Sequence, residues 1–210
     1  MAGMGQAKGL GMIQQHPAPG GGRIIRKDWC EKRYTVLPAN ARHACISVDA
    51  SFKDGEKNSR VCIQAWARTP SEFFLLDQIC RPMEFAETLV EVAAMIKKWP
   101  RCRARYIEDK ANGPAIISML RKKVPGLVPV EPMGSKEARL QAASPLFEAG
   151  SVILPDESRA PWVAEYVSEL TSFPSAPFDD QVDATSQALL KMTERDMAAG
   201  SGFGGGQIPH

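Results

Sequence analysis

The sequence is poor in histidine and has no paired cysteines, and each shortage excludes a class of site. Only three of its 210 residues are histidines, His16, His43 and His210, and all lie outside the periodic segments. A histidine-based metal centre or catalytic triad therefore has little support. The five cysteines are odd in number and include no C-x-x-C pair, which argues against structural zinc. We therefore expect a protein of a reducing compartment.

Long hydrophobic runs and a strong net charge are also missing. No stretch approaches the roughly 20 apolar residues of a membrane-spanning helix, and the N-terminus has no signal-peptide core. We therefore expect a soluble, intracellular protein with no membrane partner. With 26 Lys and Arg against 24 Asp and Glu, the net charge of +2 argues neither for nor against nucleic acid. Local basic clusters could follow a phosphate backbone, although solvated surface positions explain each cation singly.

Composition divides the chain into three parts. Residues 1–44 begin rich in Gly, Pro, Gln and Met and are predicted to be a flexible segment followed by a basic connector. Residues 45–195 are densely periodic and predict one folded domain. Residues 196–210 are Gly-rich, and we expect a disordered tail.

Three predicted strands follow one another at the start of the domain. Apolar and polar residues alternate in the first, ISVDASF. The next two strands, which are also apolar and β-rich, are SRVCIQAWART and EFFLLDQICR. Short turn-forming segments separate the three runs, so the pattern indicates an antiparallel meander.

Helices and strands alternate in the rest of the domain. Apolar residues at helical spacing predict a helix over about 83–98, which Pro100 ends. The later predicted elements are the strand RARYIE, the helix NGPAIISMLRKK, the strand LVPVEP, a helix capped by Ser135, a separate short helix from Ser144-Pro145 to Gly150, the strand SVILP, and helices over about 161–171 and 179–194. This order predicts an α/β fold of the ribonuclease H-like type, a mixed sheet of a three-strand antiparallel meander plus parallel strands flanked by helices. In that type the first strand lies centrally and the fourth lies beside it.

Acidic residues stand at the ends of three of these elements. They are Asp49 in the first strand, Glu108-Asp109 at the end of the fourth, and Asp179-Asp180 with Asp183 at the start of the last helix. If the fold brings these ends together, the carboxylates form an oxygen-lined pocket that suits Mg²⁺ or Mn²⁺. Such a pocket indicates metal-assisted cleavage of a phosphodiester.

Each acidic cluster also has a structural explanation. Asp49 could lie on an exposed strand edge, and Glu108-Asp109 could belong to a turn. Asp179-Asp180 could simply complement the positive N-terminus of a helix. Asp183 is harder to explain this way, because it follows one turn later in a segment that is otherwise small and apolar. The inference therefore rests on the three clusters together.

The same segments resemble a known family. YIEDKANGPAI, GSKEARLQAASPLFEAGSVILP and FPSAPFDDQVDATSQAL are similar to the C-terminal nuclease domain of the large terminase subunit of tailed bacteriophages, over about residues 45–192. IQQHPAPGGGRIIRKDW resembles the connector between the terminase motor and its nuclease. The resemblance implies a ribonuclease H-like fold, two Mg²⁺ or Mn²⁺ ions, and endonuclease cutting of concatemeric double-stranded DNA in the cytoplasm of the infected host. It also implies a terminase ATPase motor domain, a small terminase subunit and a portal as partners.

The resemblance also assigns residues. By it, Asp49, Glu108, Asp180 and Asp183 are the catalytic and metal-binding carboxylates, and Asp109 and Asp179 are less favoured neighbours. Three cations are candidates for contacts with the scissile DNA, although an ordinary surface position is the commoner explanation for each one singly: Lys110, Lys136 and Arg139.

One departure from the family is clear. A large terminase begins with an ATPase whose Gly-rich loop holds phosphates with Lys and Ser or Thr, and GMGQAKGLGM has no GKS or GKT. We therefore expect no ATPase in this chain and interpret it as an excised nuclease domain or a fragment-like gene product. Two other functions stay open at this point. One is a nuclease similar to Holliday-junction resolvases, and the other is a catalytically silent docking module of the packaging motor.

Overall fold

The computed structural model describes residues 23–50, 60–108, 117–119, 121–122 and 124–200, with side chains as far as residue 194. Within them lies one mixed sheet of seven strands. These are β1 (Arg33–Tyr34), β2 (Arg42–Ala50), β3 (Arg60–Arg68), β4 (Phe73–Pro82), β5 (Ala104–Glu108), β6 (Leu127–Val130) and β7 (Val152–Pro155). The predicted flexible start (1–22) and most of the predicted tail (201–210) lie outside the described residues.

The strand order is β1-β7-β4-β3-β2-β5-β6. As predicted, β2, β3 and β4 form an antiparallel meander, with β2 in the interior of the sheet and β5 parallel beside it. Strand β6 extends the sheet parallel to β5, and β7 and β1 extend the other side in parallel. The predicted α/β class with a mixed sheet is thus confirmed.

The two faces of the sheet carry separate cores. Among the described residues, four longer helices flank the sheet: α1 (Phe85–Lys98), α2 (Lys136–Glu148), α3 (Val163–Ser172) and α4 (Asp180–Gly200). Ile46 and Val48 point to one face, where they pack with Val92 and Met95 of α1. Helix α4 lies on the other face, where the Ser47 hydroxyl donates a 2.8 Å hydrogen bond to the Ala184 carbonyl. Because side chains alternate along a strand, Asp49 points to the same face as Ser47, toward α4.

The predicted break at Ser144-Pro145 is wrong, because α2 continues through both residues to Glu148. A proline inside a helix leaves the carbonyl four residues earlier without its backbone donor. Here that carbonyl belongs to Gln141, and the Ser144 hydroxyl donates to it at 2.9 Å. The helix therefore keeps its hydrogen bonding across the proline. Its predicted cap is correct, since the Ser135 hydroxyl accepts from the Ala138 amide at 3.1 Å.

Residues before the predicted domain start at 45 also join the core. Ile25 is fully buried and Cys30 is 2% exposed, both in the cluster under α2 and α3. Arg33 and Tyr34 pair with Leu154 and Pro155 of β7, and the Tyr34 hydroxyl donates to the Leu75 carbonyl at 2.8 Å. This stretch of the predicted connector thus completes one edge of the sheet. No helix among the described residues is long and apolar enough to cross a membrane.

Candidate metal centre

Two of the acidic residues are brought together by the pairing of β2 with β5. These strands are parallel, with Val48 opposite Ile107, so Asp49 and Glu108 follow side by side at the carboxyl ends of both strands. Asp49 is 2% exposed and Glu108 is 7% exposed. Carboxyl ends of neighbouring parallel strands are a usual place for ligand sites in α/β sheets.

The third carboxylate comes from α4. Asp183 lies in the first turn of this helix and is 1% exposed. One carboxylate oxygen from each of Asp49, Glu108 and Asp183 lies within 4.8 Å of the other two. We call these three residues the acidic centre.

The acidic centre offers only oxygen ligands, which suit hard cations such as Mg²⁺ and Mn²⁺. Three buried carboxylates this close repel one another, and burial removes the water that would screen them. Positive charge is therefore needed nearby, and a divalent cation fits this donor set.

Helix α2 supplies part of that positive charge. Lys136 and Arg139 are three residues apart, so they lie on one face of the helix. The Lys136 Nζ atom lies 2.8 Å from Asp183 Oδ2, and Arg139 Nη2 lies 2.5 Å from Asp183 Oδ1 and 3.5 Å from Glu108 Oε1. Burial acts to lower the pKa of Lys136, but hydrogen bonds to Asp179 and Asp183 outweigh it and raise the pKa above its usual value. Two of the three predicted DNA-contacting cations, Lys136 and Arg139, therefore contact the acidic centre.

The other two acidic residues of the last cluster lie elsewhere. Asp180 is not in the acidic centre, and its Oδ2 atom lies 3.9 Å from Arg60 Nε. Burial raises the pKa of Asp180 to about 6, with Glu169 and Asp179 adding to the shift and Arg60 opposing it. Asp179 is more exposed and contacts Lys136 at 2.5 Å. Asp109 and Lys110 lie outside the described residues.

A buried polar network anchors the first turns of α4, and the sequence interpretation missed it. Gln181 donates through its backbone amide and its side chain to Glu169 of α3, at 2.8 and 2.6 Å. Gln78 of β4 donates to the Gln181 side chain at 2.6 Å, and Gln64 of β3 donates to Gln78 at 2.9 Å and to Thr185 at 3.1 Å. We call these five residues the glutamine network. Because they tie α4 to two strands and a helix, they also hold Asp183 in place.

A signal for this network does exist in the sequence. Gln64 interrupts an otherwise apolar strand run, and Glu169 lies among the apolar residues of α3. A polar residue at such a position predicts a buried partner, because burial without one is costly. The sequence does not show which partner each one finds.

Comparison with known proteins agrees with this geometry. The profile of the terminase RNaseH-like domain family matches residues 46–192. No curated protein sequence matches the chain. The large terminase nuclease of thermophilic phage G20c with bound cobalt has a TM-score of 0.58 and 15% identity, covering 82% of this chain and 99% of that one. Other crystal structures of the G20c nuclease hold magnesium or zinc.

Two further structures show how much of an isolated nuclease domain and of a whole large terminase this chain spans. The nuclease domain of the P22 large terminase has a TM-score of 0.58 and 15% identity, over 84% of this chain and 94% of that one. The large terminase of another thermophilic bacteriophage, in complex with ADP, has a TM-score of 0.60 and 11% identity, over 81% of this chain but 44% of that one. At these identities the likeness shows the fold. The family profile covers most of the chain, which therefore belongs to the terminase RNase H-like domain family.

Proposed function

We propose that this chain is the metal-dependent endonuclease domain of a phage DNA-packaging terminase and cuts concatemeric double-stranded DNA. The observation that carries the proposal is the acidic centre, in which Asp49, Glu108 and Asp183 reach one another from β2, β5 and α4. A structural ion-pair cluster would not require three buried carboxylates side by side, two at the ends of parallel strands and one in the first turn of α4. A metal centre does, because a divalent cation offsets their mutual repulsion.

The residues that would hold metal are Asp49, Glu108 and Asp183. Mg²⁺ or Mn²⁺, as two ions, would supply an activated water and charge stabilisation for the leaving oxygen. The metals in the G20c crystal structures support the ability of this fold to hold divalent cations. The placement of Asp180 beside Arg60 favours Asp183 over Asp180 as the ligand from α4.

Lys136 and Arg139 would act on the DNA. Each of them contacts Asp183 from α2, so each lies beside the acidic centre. With a divalent cation bound at Asp183, both side chains could donate hydrogen bonds to the phosphate being cut. Arg139 is suited to two phosphate oxygens at once, and Lys136 provides a compact charge.

Little sequence preference follows from this arrangement. The acidic centre, Lys136 and Arg139 would all act on the phosphodiester and not on the bases. Phosphate contacts carry no direct sequence information. In a packaging motor, tethering to an ATPase domain would raise the local DNA concentration. The ADP-bound large terminase, of which this chain spans 44%, supports such a motor domain as the partner. The small terminase subunit and the portal are the other partners we propose.

A nicking assay on supercoiled plasmid tests the proposal. We expect Mn²⁺ or Mg²⁺ to support cutting, EDTA to stop it, ATP to have no effect, and Asp49→Asn to abolish it while the protein stays folded. Asp28→Asn, at an exposed carboxylate paired with Arg26, is the matched control and should cut like the wild type. Absence of cutting by the folded wild type would favour the silent docking module. Strong preference for four-way junctions over plain duplex would favour a resolvase-like nuclease.

A further inference from the structure

A second charged feature lies at the opposite end of the same strands. A cavity of about 790 Å³ opens at the start of β2, the end of β3 and the segment leading into β5. Four arginines line it, Arg42, Arg68, Arg101 and Arg103. Arg42 and Asp49 are seven residues apart on β2, which places the cavity about 23 Å from the acidic centre at about 3.3 Å per residue. We call this feature the arginine cavity.

Three of the four arginines, Arg42, Arg101 and Arg103, have no ion pair with a carboxylate among the described residues. The described lining residues of the cavity include no Asp or Glu. Arginines elsewhere in the described part of the chain have acidic partners, such as Arg26 with Asp28 and Arg81 with Glu87. The cavity therefore concentrates positive potential, which focuses anions.

Two hydrogen bonds and a ring contact hold Arg68, one of the four arginines, in place. Arg68 donates to the Met192 carbonyl at 3.1 Å and to the Thr69 carbonyl at 3.2 Å, and its guanidinium lies 5.6 Å from the centre of the Phe73 ring. Around the rim, Arg42, Arg101 and Arg103 are all exposed. The floor includes Tyr106, which is 6% exposed. The cavity thus combines one preorganised guanidinium with three at its rim.

We propose that the arginine cavity binds phosphate groups of a nucleic-acid backbone, as a DNA contact separate from the acidic centre. Arginine presents a planar fork of donors that matches phosphate oxygens. The four arginines come from three separate segments around a cavity of nucleotide size, so they can contact successive phosphates rather than one small anion. The identification of this nucleic acid as the DNA being cut rests on the proposed function.

The test is equilibrium binding of a fluorescently labelled, blunt DNA duplex in EDTA, followed by anisotropy. Every protein carries Asp49→Asn, so no cutting occurs and the result does not depend on nuclease activity. Arg42→Gln combined with Arg103→Gln is compared with Arg26→Gln combined with Arg81→Gln, which changes the net charge equally at exposed arginines elsewhere. Thermal melting verifies that both variants are folded.

We expect the cavity variant to bind DNA roughly tenfold more weakly, and the slope of log K against log[salt] to be less steep by about 1.8, or about 0.9 for each lost phosphate contact. The control variant should retain wild-type affinity and slope. Equal losses in the two variants, or no loss in the cavity variant, would overturn the proposal.

Sodium tripolyphosphate is the second probe. If it binds at the arginines as tightly as the duplex does, the site serves a free phosphate compound and the nucleic-acid assignment is wrong. If the folded wild type does not nick plasmid but DNA still binds at the cavity, only the nuclease function is refuted.

Discussion

The Lys136 ammonium lies 2.8 Å from a carboxylate oxygen of Asp183, one of the three residues of the acidic centre. The same Nζ atom lies 2.5 Å from Asp179. A divalent cation that binds Asp183 must therefore share it with, or displace, a cation that belongs to the protein. Lys136 would thus weaken metal binding and yet assist cleavage.

Replacing this lysine should separate the two effects. We expect Lys136→Met to bind Mn²⁺ several-fold more tightly in calorimetry, because its competitor at Asp183 is gone. The same variant should cut plasmid DNA at least tenfold more slowly, because a charge at the phosphate is lost. Lys98→Met is the matched control, since Lys98 is an exposed lysine that pairs with Asp77 far from the centre. Weaker Mn²⁺ binding by Lys136→Met would show that the lysine supports the metal rather than competing with it.

The acidic residues should differ in importance according to their positions. Glu108→Gln and Asp183→Asn should each lower the nicking rate by orders of magnitude, because both belong to the acidic centre. Asp180→Asn should cost less, and Asp179→Asn least, since these side chains contact Arg60 and Lys136 outside that group. Single-turnover nicking rates in saturating Mn²⁺ measure the order. If Asp180→Asn were the inactive variant and Asp183→Asn an active one, the ligand from α4 would be Asp180.

The raised pKa of Asp180 predicts a pH effect on stability. In the folded protein the pKa is about 6, mainly because of burial, against an ordinary value of 3.8. The native state therefore holds this proton more tightly than the unfolded state does, so the wild type gains stability as pH falls from above 6 toward 4. Asp180→Asn lacks this dependence.

We accordingly expect Asp180→Asn to be more stable than the wild type at pH 8, by on the order of 1–3 kcal/mol, and this advantage to shrink as pH falls through 6. Urea denaturation in EDTA at several pH values measures the difference, and EDTA removes any contribution from bound metal. A difference that stays constant between pH 5 and pH 8 would contradict the raised pKa.

The glutamine network should be important for both stability and metal binding. Glu169 is buried, pairs with Arg60 at 3.4 Å and accepts two hydrogen bonds from Gln181. Glu169→Ala leaves these donors buried without their acceptor, and we expect a loss of about 3 kcal/mol in the free energy of unfolding. It should also weaken Mn²⁺ binding, because α4 then holds Asp183 less firmly.

Glu165 offers a matched control for this change. It pairs with the same Arg60, at 2.9 Å, but its side chain is 67% exposed. Because exposed ion pairs contribute about 0–1 kcal/mol, Glu165→Ala should be nearly neutral. Similar losses for Glu165→Ala and Glu169→Ala would mean that burial of the network does not matter.

The sequence predicts the sheet because its periodicity is local information. Alternation in β2 and helical spacing in α1 depend on neighbours along the chain, and both elements are found where expected. The helix through Pro145 is not predicted, because propensity rules do not reveal that the Ser144 hydroxyl reaches the carbonyl that proline leaves without its donor. The strand at Arg33–Tyr34 is also missed, since two residues carry no period and pair only with distant β7.

The acidic centre, too, is predicted only in part from the sequence. Asp49 and Glu108 stand at predicted strand ends, and the predicted pairing of those strands already brings them together. The resemblance implies both Asp180 and Asp183 as ligands. Which residues of one helical turn face inward depends on how α4 rotates against the sheet. That rotation is determined by the glutamine network, whose members are far apart in the chain.

The origin of Asp183 in α4 also bears on when the enzyme becomes active during its synthesis. Asp49 and Glu108 leave the ribosome well before residues 180–183, because they lie more than 70 residues earlier in the chain. A nascent chain that has not yet emerged as far as α4 has only two of the three carboxylates and lacks the partner of Lys136 and Arg139. Under the proposed function, cutting would require that α4 has emerged and docked, so a ribosome-bound or prematurely terminated chain would spare the DNA around it.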